Sequence, residues 1–327
     1  MTGRCRLARR GGGCAELPWS IAFIYEAEAD EKVCMIPRHF EYFAPRSVKE
    51  ATALLKKFGP DAKVLAGGMS LIPLMKMRFN SPARIVDINR IPGLEYVKVS
   101  GRTLKIGALT CHGDVQHSNV VRKNAYLLAE TASMIGDPQI RNVGTIGGSL
   151  SYCDPSGDWG AAILALRGEL TIRGPTKQRT MKIDDFLVGA FTSALRSDEI
   201  LTEVSVQVPP PRSGGAYMKM ERSLGDFPTV GVAVQMTIDA KDVCKSAGIG
   251  LTALGPKNLR AERAEKTLVG QVVTPRRLEE AAEAAAEDAQ PSSDPMRGSA
   301  EYKREMTRVY ARRGLERAVA RAKGGKT

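Results

Sequence analysis

Two glycine-rich turns, about eighty residues apart, limit this chain more than any other feature. The later one lies within residues 137–158, D-P-Q-I-R-N-V-G-T-I-G-G-S-L-S-Y-C-D-P-S-G-D. Gly144, Gly147 and Gly148 allow sharp backbone turns and leave amide N–H groups without a Cβ in front of them. Thr145, Ser149 and Ser151 set small hydroxyls beside them. Converging amides and hydroxyls suit a phosphate or pyrophosphate. The earlier turn, Ala66, Gly67, Gly68, Met69 and Ser70, follows the apolar Val64 and Leu65. Each alone reads equally as a tight turn in a glycine-rich chain, but together they can hold the two ends of one long anionic cofactor.

Other chemistries lack their residues. The chain has no G-x-S-x-G, no H-E-x-x-H, no Walker sequence and no G-x-G-x-x-G between a strand and a helix. Gly248-Ile249-Gly250 lacks a third glycine at the right distance, which argues against a Rossmann domain. Redox chemistry, if present, then belongs to a bound cofactor that the protein positions. The six cysteines are scattered without a C-x-x-C pair. That pattern argues against a disulfide framework, a structural zinc or an iron–sulfur cluster held by this chain alone. His39, His112 and His117 have no metal-ligand spacing, so no metal site is expected. No apolar run approaches the ~18–20 residues of a membrane span. Reduced thiols and a cytoplasmic setting are the expectation.

Taken in order, residues 1–34 carry Arg4, Arg6, Arg9 and Arg10, a glycine triplet and an apolar patch at 17–25. They show neither a core-forming pattern nor a signal-peptide cleavage site, and are expected to be a disordered or mis-started N-terminal extension. Ser47-Val48-Lys49-Glu50 forms a capping box, with Glu50 able to reach back. Val48, Ala51, Leu55 and Phe58 then share a helical face, and Gly59-Pro60 ends the helix. Strands are expected at 62–66 and 84–88, a hairpin about Gly101, and a helix over 122–133. Asp158 reads as the N-cap of a helix over 159–166. Short strands follow at 170–173 and 180–183, then an alternating strand at 201–208. Pro209-Pro210-Pro211 and Ser213-Gly214-Gly215 mark a domain boundary. Beyond it come strands at 216–222, 229–239 and 248–254. In the first, Ala216, Met218 and Met220 share one face and Tyr217, Lys219 and Glu221 the other. Thr274-Pro275 opens a helix over 276–289, and Tyr302, Met306, Val309 and Tyr310 stripe a last one.

The net charge of +12 is unevenly placed. Residues 297–327 hold ten Lys/Arg against three Glu, and residues 275–296 hold two Arg against six acids. Such segregation suits a solvated helix face or docking to an acidic partner subunit. No nucleic-acid motif or aromatic interleaving accompanies it, so nucleic-acid binding is not expected.

A-G-G-M-S-L-I-P-L-M-K at 66–76 and T-I-G-G-S at 145–149 resemble the two FAD-binding signatures of the flavoprotein (medium) subunit of molybdenum hydroxylases. The carbon monoxide dehydrogenase and aldehyde oxidoreductase types are the most similar. The resemblance runs from Met35 to about Arg321, through M-I-P-R-H-F-E-Y near its start and L-G-D-F-P-T at 224–229. It implies an α+β protein. A two-subdomain PCMH-type FAD-binding region in 35–210 would precede a C-terminal α/β-sandwich-like domain of the carbon monoxide dehydrogenase flavoprotein type in 211–327.

The resemblance also implies site residues. Ala66, Gly67, Gly68, Met69 and Ser70, with Thr145, Ile146, Gly147, Gly148 and Ser149, would hold the pyrophosphate and the adjoining ribityl and adenosine parts of FAD through backbone amides. Asp158 would accept hydrogen bonds from cofactor hydroxyls, a role compatible with capping. Leu195 would present backbone groups near the flavin ring, with ordinary packing as the alternative. Lys219 would lie near the flavin or its phosphates, with a solvated lysine as the alternative. Gly225, Asp226 and Phe227 would form a turn that closes over the isoalloxazine. Many relatives carry histidine where Met69 stands and asparagine where Ser149 stands.

The implied partners are a large molybdopterin-binding subunit and a small iron–sulfur subunit, in a dimer of heterotrimers. This subunit would take electrons from the iron–sulfur clusters and release them to an external acceptor. The alternative is a self-contained FAD oxidase, which would need a base or a covalent flavin link that no clear His or Cys offers. The substrate, whether carbon monoxide, an aldehyde, a purine or another heterocycle, would be set in the large subunit.

Overall fold

The structure, a computed structural model, describes residues 35–325, and the expectation for residues 1–34 lies outside the described residues. Ser47 Oγ accepts the Glu50 amide at 3.1 Å and starts the helix Val48–Phe58. Glu50 turns back as expected, but onto the Arg46 amide at 2.8 Å rather than that of Ser47. The buried face of this helix, Ala51 and Leu55, packs with Ala62, Val86 and Ile88. These belong to or adjoin a three-stranded parallel sheet in the order Glu41–Phe43, Arg84–Asp87, Ala62–Leu65.

The second sheet is antiparallel and has five strands. Its order is Val97–Ser100, Thr103–Gly107, Ile200–Gln207, Glu169–Arg173, Gln178–Lys182. Two sequence-local hairpins thus lie on either side of Ile200–Gln207, which pairs with both. Leu104, Ile106, Leu170, Ile172, Val204 and Val206 alternate inward into the largest apolar core. The helix expected over 122–133 is two helices, Asn119–Asn124 and Tyr126–Ser133. They are separated at Ala125, whose φ of −157° and ψ of 67° leave the helical region.

The third sheet is an antiparallel meander, Ser213–Met220, Val230–Ile238, Cys244–Thr252 and Leu259–Arg260. Val232 and Val234 face a core shared with Leu278, Ala281, Leu315 and Ala318 of the helices Pro275–Asp288 and Ala300–Ala322. Ala233 faces the other way and joins the first core. On that side lies the helix Asp158–Ala165, whose eight residues are all buried, as its apolar character all round requires. Gly248 and Gly250 make this contact possible, because a Cβ on either would overlap the carbonyl of Ala165 or Ala161. The Gly-Ile-Gly sequence is therefore a helix-docking surface on a strand. The described residues from Ile36 onward form one compact unit around this arrangement.

Part of the segregated charge meets within the chain, on a helix face whose arginines stay half-exposed. Arg308 and Arg312 pair with Glu279 at 2.5 and 2.9 Å, so the basic terminal helix lies against the acidic one. Arg321 reaches Glu130 at 2.8 Å, and Lys323 reaches Asp242 at 2.6 Å. Among the described residues no helix is long and apolar enough to cross a membrane.

Candidate functional site

The earlier glycine turn leaves the strand Ala62–Leu65 and enters the helix Leu71–Lys76. Gly68 takes φ of +74°, which a side chain would strain, and a Cβ on Gly67 would overlap the Val143 carbonyl. The turn is held from beneath. Asn89 Nδ2 donates to the Ala66 carbonyl at 2.9 Å and to Asp87 Oδ1 at 2.7 Å. Tyr42 also hydrogen-bonds Asp87. The N–H groups of Gly67, Gly68, Met69 and Ser70 have no partner among the described residues. All four residues line a cavity of about 650 Å³. Successive unpaired amides at such a turn make an anion-binding concavity.

The later segment is built differently from the turn anticipated for it. Thr145 is the N-cap of the helix Ile146–Tyr152, and its hydroxyl accepts the Gly148 amide at 3.1 Å. The Ile146 amide donates to the Thr110 carbonyl and the Gly147 amide to that of Ala108, while Ser149 donates to the Thr145 carbonyl. These amides are taken, so this segment cannot offer them to a ligand as the earlier turn can. Its glycines serve close packing instead, since a Cβ on Gly147 would lie 2.5 Å from Ala108 Cβ. Thr145, Gly147, Gly148 and Ser149 still line the cavity, but Ile146 is fully buried in the core and does not.

Asp158 is the first residue of its helix, which Gly157 caps, so the capping role expected for it is corrected. Its side chain points into a buried polar group. Tyr217 donates to Asp158 Oδ1 at 2.5 Å, and Lys219 Nζ stands 3.4 Å from both Asp158 and Glu221. Lys219 also donates to the Met134 carbonyl at 2.7 Å and is 2% exposed, so the solvated-lysine alternative fails. Burial pushes the Asp158 carboxyl up to about 6, against the Lys219 charge and the Tyr217 hydrogen bond. Burial and the neighbouring Asp158 raise the Tyr217 hydroxyl as well. Asp158 and Lys219 line the cavity, as does Leu195.

Gly225, Asp226 and Phe227 form a turn at the cavity wall, with Gly225 at φ of +85°. Arg297 anchors it by donating to the Phe227 carbonyl at 2.6 Å and to Asp226 Oδ1 at 3.1 Å. Fifteen of the sixteen anticipated positions therefore share one cavity. Sequence reasoning missed Lys63, His112, Tyr152 and Phe191, which line it too. Lys63 could have been found from its place two residues before Leu65 in the strand leading to the turn. Tyr152 and Phe191 pack at 5.1 Å between ring centroids, a pairing with no local sequence signal. An amide-lined turn, apolar walls and a buried cation suit a long ligand with an anionic middle and an aromatic end, so the residues present fit FAD.

Taken together, fold and site define a flavoprotein. Residues 38–211 match the FAD binding domain in molybdopterin dehydrogenase, and residues 215–318 match the CO dehydrogenase flavoprotein C-terminal domain. The carbon monoxide dehydrogenase medium chain of Hydrogenophaga pseudoflava is 41% identical over 287 residues, covering 88% of this chain and 99% of that one. The 6-hydroxypseudooxynicotine dehydrogenase complex subunit alpha of Paenarthrobacter nicotinovorans is 36% identical, covering 88% and 97%. A solved carbon monoxide dehydrogenase from Hydrogenophaga pseudoflava, lacking the Mo-pyranopterin moiety of its cofactor, matches with a TM-score of 0.85 at 42% identity. That match covers 88% of this chain and 99% of the other. The chain belongs to the FAD-binding medium subunits of the molybdenum hydroxylases. It is an oxidoreductase subunit, and its cofactor is FAD.

Proposed function

We propose that this chain is the electron-transfer subunit of a molybdenum-containing hydroxylase or dehydrogenase complex. It would receive electrons from the iron–sulfur clusters of a small subunit and pass them to an external acceptor. A large molybdopterin-binding subunit would complete the complex, as a dimer of heterotrimers working in the cytoplasm. The observation that carries the reading is the 66–70 turn, whose four unpartnered amides share one cavity with the buried Lys219. In this reading the turn holds the FAD pyrophosphate. Thr145, Gly147, Gly148 and Ser149 shape the wall beside it, while Asp158, Leu195, Lys219, Asp226 and Phe227 surround the rest of the cofactor. Ile146 supports the wall from the core. Residues 35–210 would form the FAD-binding domain and 211–327 the second domain, with Lys219 contributed across that boundary.

Bound FAD supplies reversible redox chemistry in one- and two-electron steps. The chain's own residues bind it, exclude water and set the local charge. Lys219, held by Asp158, Glu221 and the Met134 carbonyl, fixes a positive charge beside the cofactor. The relatives named above bear different substrates in their names, which supports a substrate set outside this chain.

Co-expression with molybdopterin and iron–sulfur partners tests the proposal. The expected result is a stable assembly in which substrate reduces the flavin, with no turnover of aldehydes or carbon monoxide by the isolated chain. Lys219→Met should slow flavin reduction and leave iron–sulfur reduction intact. Turnover by the FAD-loaded chain alone would establish the oxidase instead.

A further inference from the structure

We propose that His112 binds the pyrophosphate of FAD, donating from Nε2–H as a neutral imidazole held in one tautomer. The inference deepens the FAD reading above and rests on it. His112 opens the helix His112–His117, where its amide donates to the Gly144 carbonyl at 2.9 Å. The residue is 4% exposed and lines the cavity. Trp159 Nε1–H donates to His112 Nδ1 at 3.1 Å. An indole N–H can only donate, so Nδ1 carries no proton and Nε2 does. Burial, with the Arg141 charge as a lesser cause, pushes the pKa of the ring down to about 4, which keeps it neutral near pH 7.

Nε2–H is then a donor without a partner among the described residues, and it is not sealed from solvent. An almost fully buried ring that lines a cavity and keeps one donor unpartnered is arranged for an acceptor that arrives there. Its position names the acceptor. A Cβ on Gly144 would lie 2.9 Å from His112 Nε2, and a Cβ on Gly67 would lie 2.9 Å from Gly144 Cα. Gly144 therefore lies between Gly67 and the His112 ring, and His112 lines the same cavity as the unpartnered amides of residues 67–70. A corner built of donors fits phosphate oxygens, which only accept.

The test uses the full chain with 15N-labelled histidine, which has three histidines to assign. Without ligand, one ring should stay in the neutral Nε2–H form across about pH 5.5–8, whereas an ordinary histidine becomes charged over the lower part of that range. Adding FAD, and separately ADP, should shift that Nε2 resonance. His112→Phe should weaken both ligands roughly tenfold or more, and His112→Gln, which keeps a donor, should recover much of the loss. If the wild type binds FAD while the His112 resonance stays put, or if His112→Phe keeps full affinity, the assignment to His112 fails and the FAD reading stands. A shift with FAD but none with ADP would overturn the pyrophosphate contact. A wild-type chain that binds no FAD would overturn both readings. Should His112→Phe fail to fold, the wild-type spectra decide alone.

Discussion

Burial lifts the Asp158 carboxyl to about 6 even though Lys219 and Tyr217 both favour its charged form. A carboxyl raised in this way adds stability that is fully present below its ordinary value of 3.8 and is lost as pH rises through about 6. In the FAD-free protein, stability relative to Asp158→Asn should therefore fall by on the order of 2–3 kcal/mol between pH ~4 and pH ~7. Urea denaturation of both proteins at the two pH values measures this, and a constant difference would mean an unperturbed carboxyl. Gly147 and Gly148 make a second contrast. Gly147→Ala presses a methyl onto the backbone and side chain of Ala108 and should cost ~1–3 kcal/mol. Gly148→Ala meets the Thr145 hydroxyl at 2.8 Å and Ala66 Cβ at an ordinary 3.7 Å, and should cost ~1 kcal/mol by loosening the helix cap. Thermal melts should rank them in that order, and a reversed order would contradict the packing described for the segment.

The 66–70 turn works as an element because its carbonyl side is tied down while its amides stay free. Asn89 makes that tie to the Ala66 carbonyl from within a network anchored on Asp87. Asn89→Ala should weaken FAD binding by ~1 kcal/mol, or about fivefold, through a less ordered turn. Flavin fluorescence titration reads this, with the melting point as control, and unchanged affinity would mean that the turn holds its shape alone. The helix Asp158–Ala165 depends on its neighbours in another way. Gly250→Ala drives a methyl into the Ala161 carbonyl, so helix and strand must part. We expect a loss of ~3 kcal/mol or more, and displacement of Asp158 from Tyr217. Gly93, where a Cβ meets nothing within 4 Å, supplies a control position for the added methyl, although its φ of +78° adds strain of its own.

At the scale of the whole chain, the acidic and basic helices neutralise each other in part. Glu279 takes both Arg308 and Arg312, yet the two arginines are 36% and 50% exposed, so each pair is weak. Glu279→Gln should lower stability by under ~1 kcal/mol in dilute buffer, and by less in high salt. A large, salt-independent loss would show that the two helices depend on this contact. The last helix matters more through Leu315 and Ala318, which are fully buried against the third sheet.

What the sequence by itself determined is the set of local pieces. The Ser47 cap, the Thr274-Pro275 helix start, the hairpin about Gly101 and the alternating strands need only interactions within a few residues. The glycine turn at 66–70 was legible for the same reason, because backbone conformation there depends on the lack of a Cβ. Tertiary structure alone decided which groups are buried and with whom. His112 meets Trp159 across 47 residues, Tyr217 meets Asp158 across 59, and Lys219 meets Met134 across 85. It also decided that the amides of 146–149 are spent inside the protein, and that Gly248 and Gly250 receive a helix. A residue's type carries its hydrogen-bonding capacity, but its solvation and partners come from segments far along the chain. Those segments turned an expected polar strand face, Tyr217 and Lys219, into a buried cluster with Asp158, from which Lys219 and Asp158 reach the cavity wall.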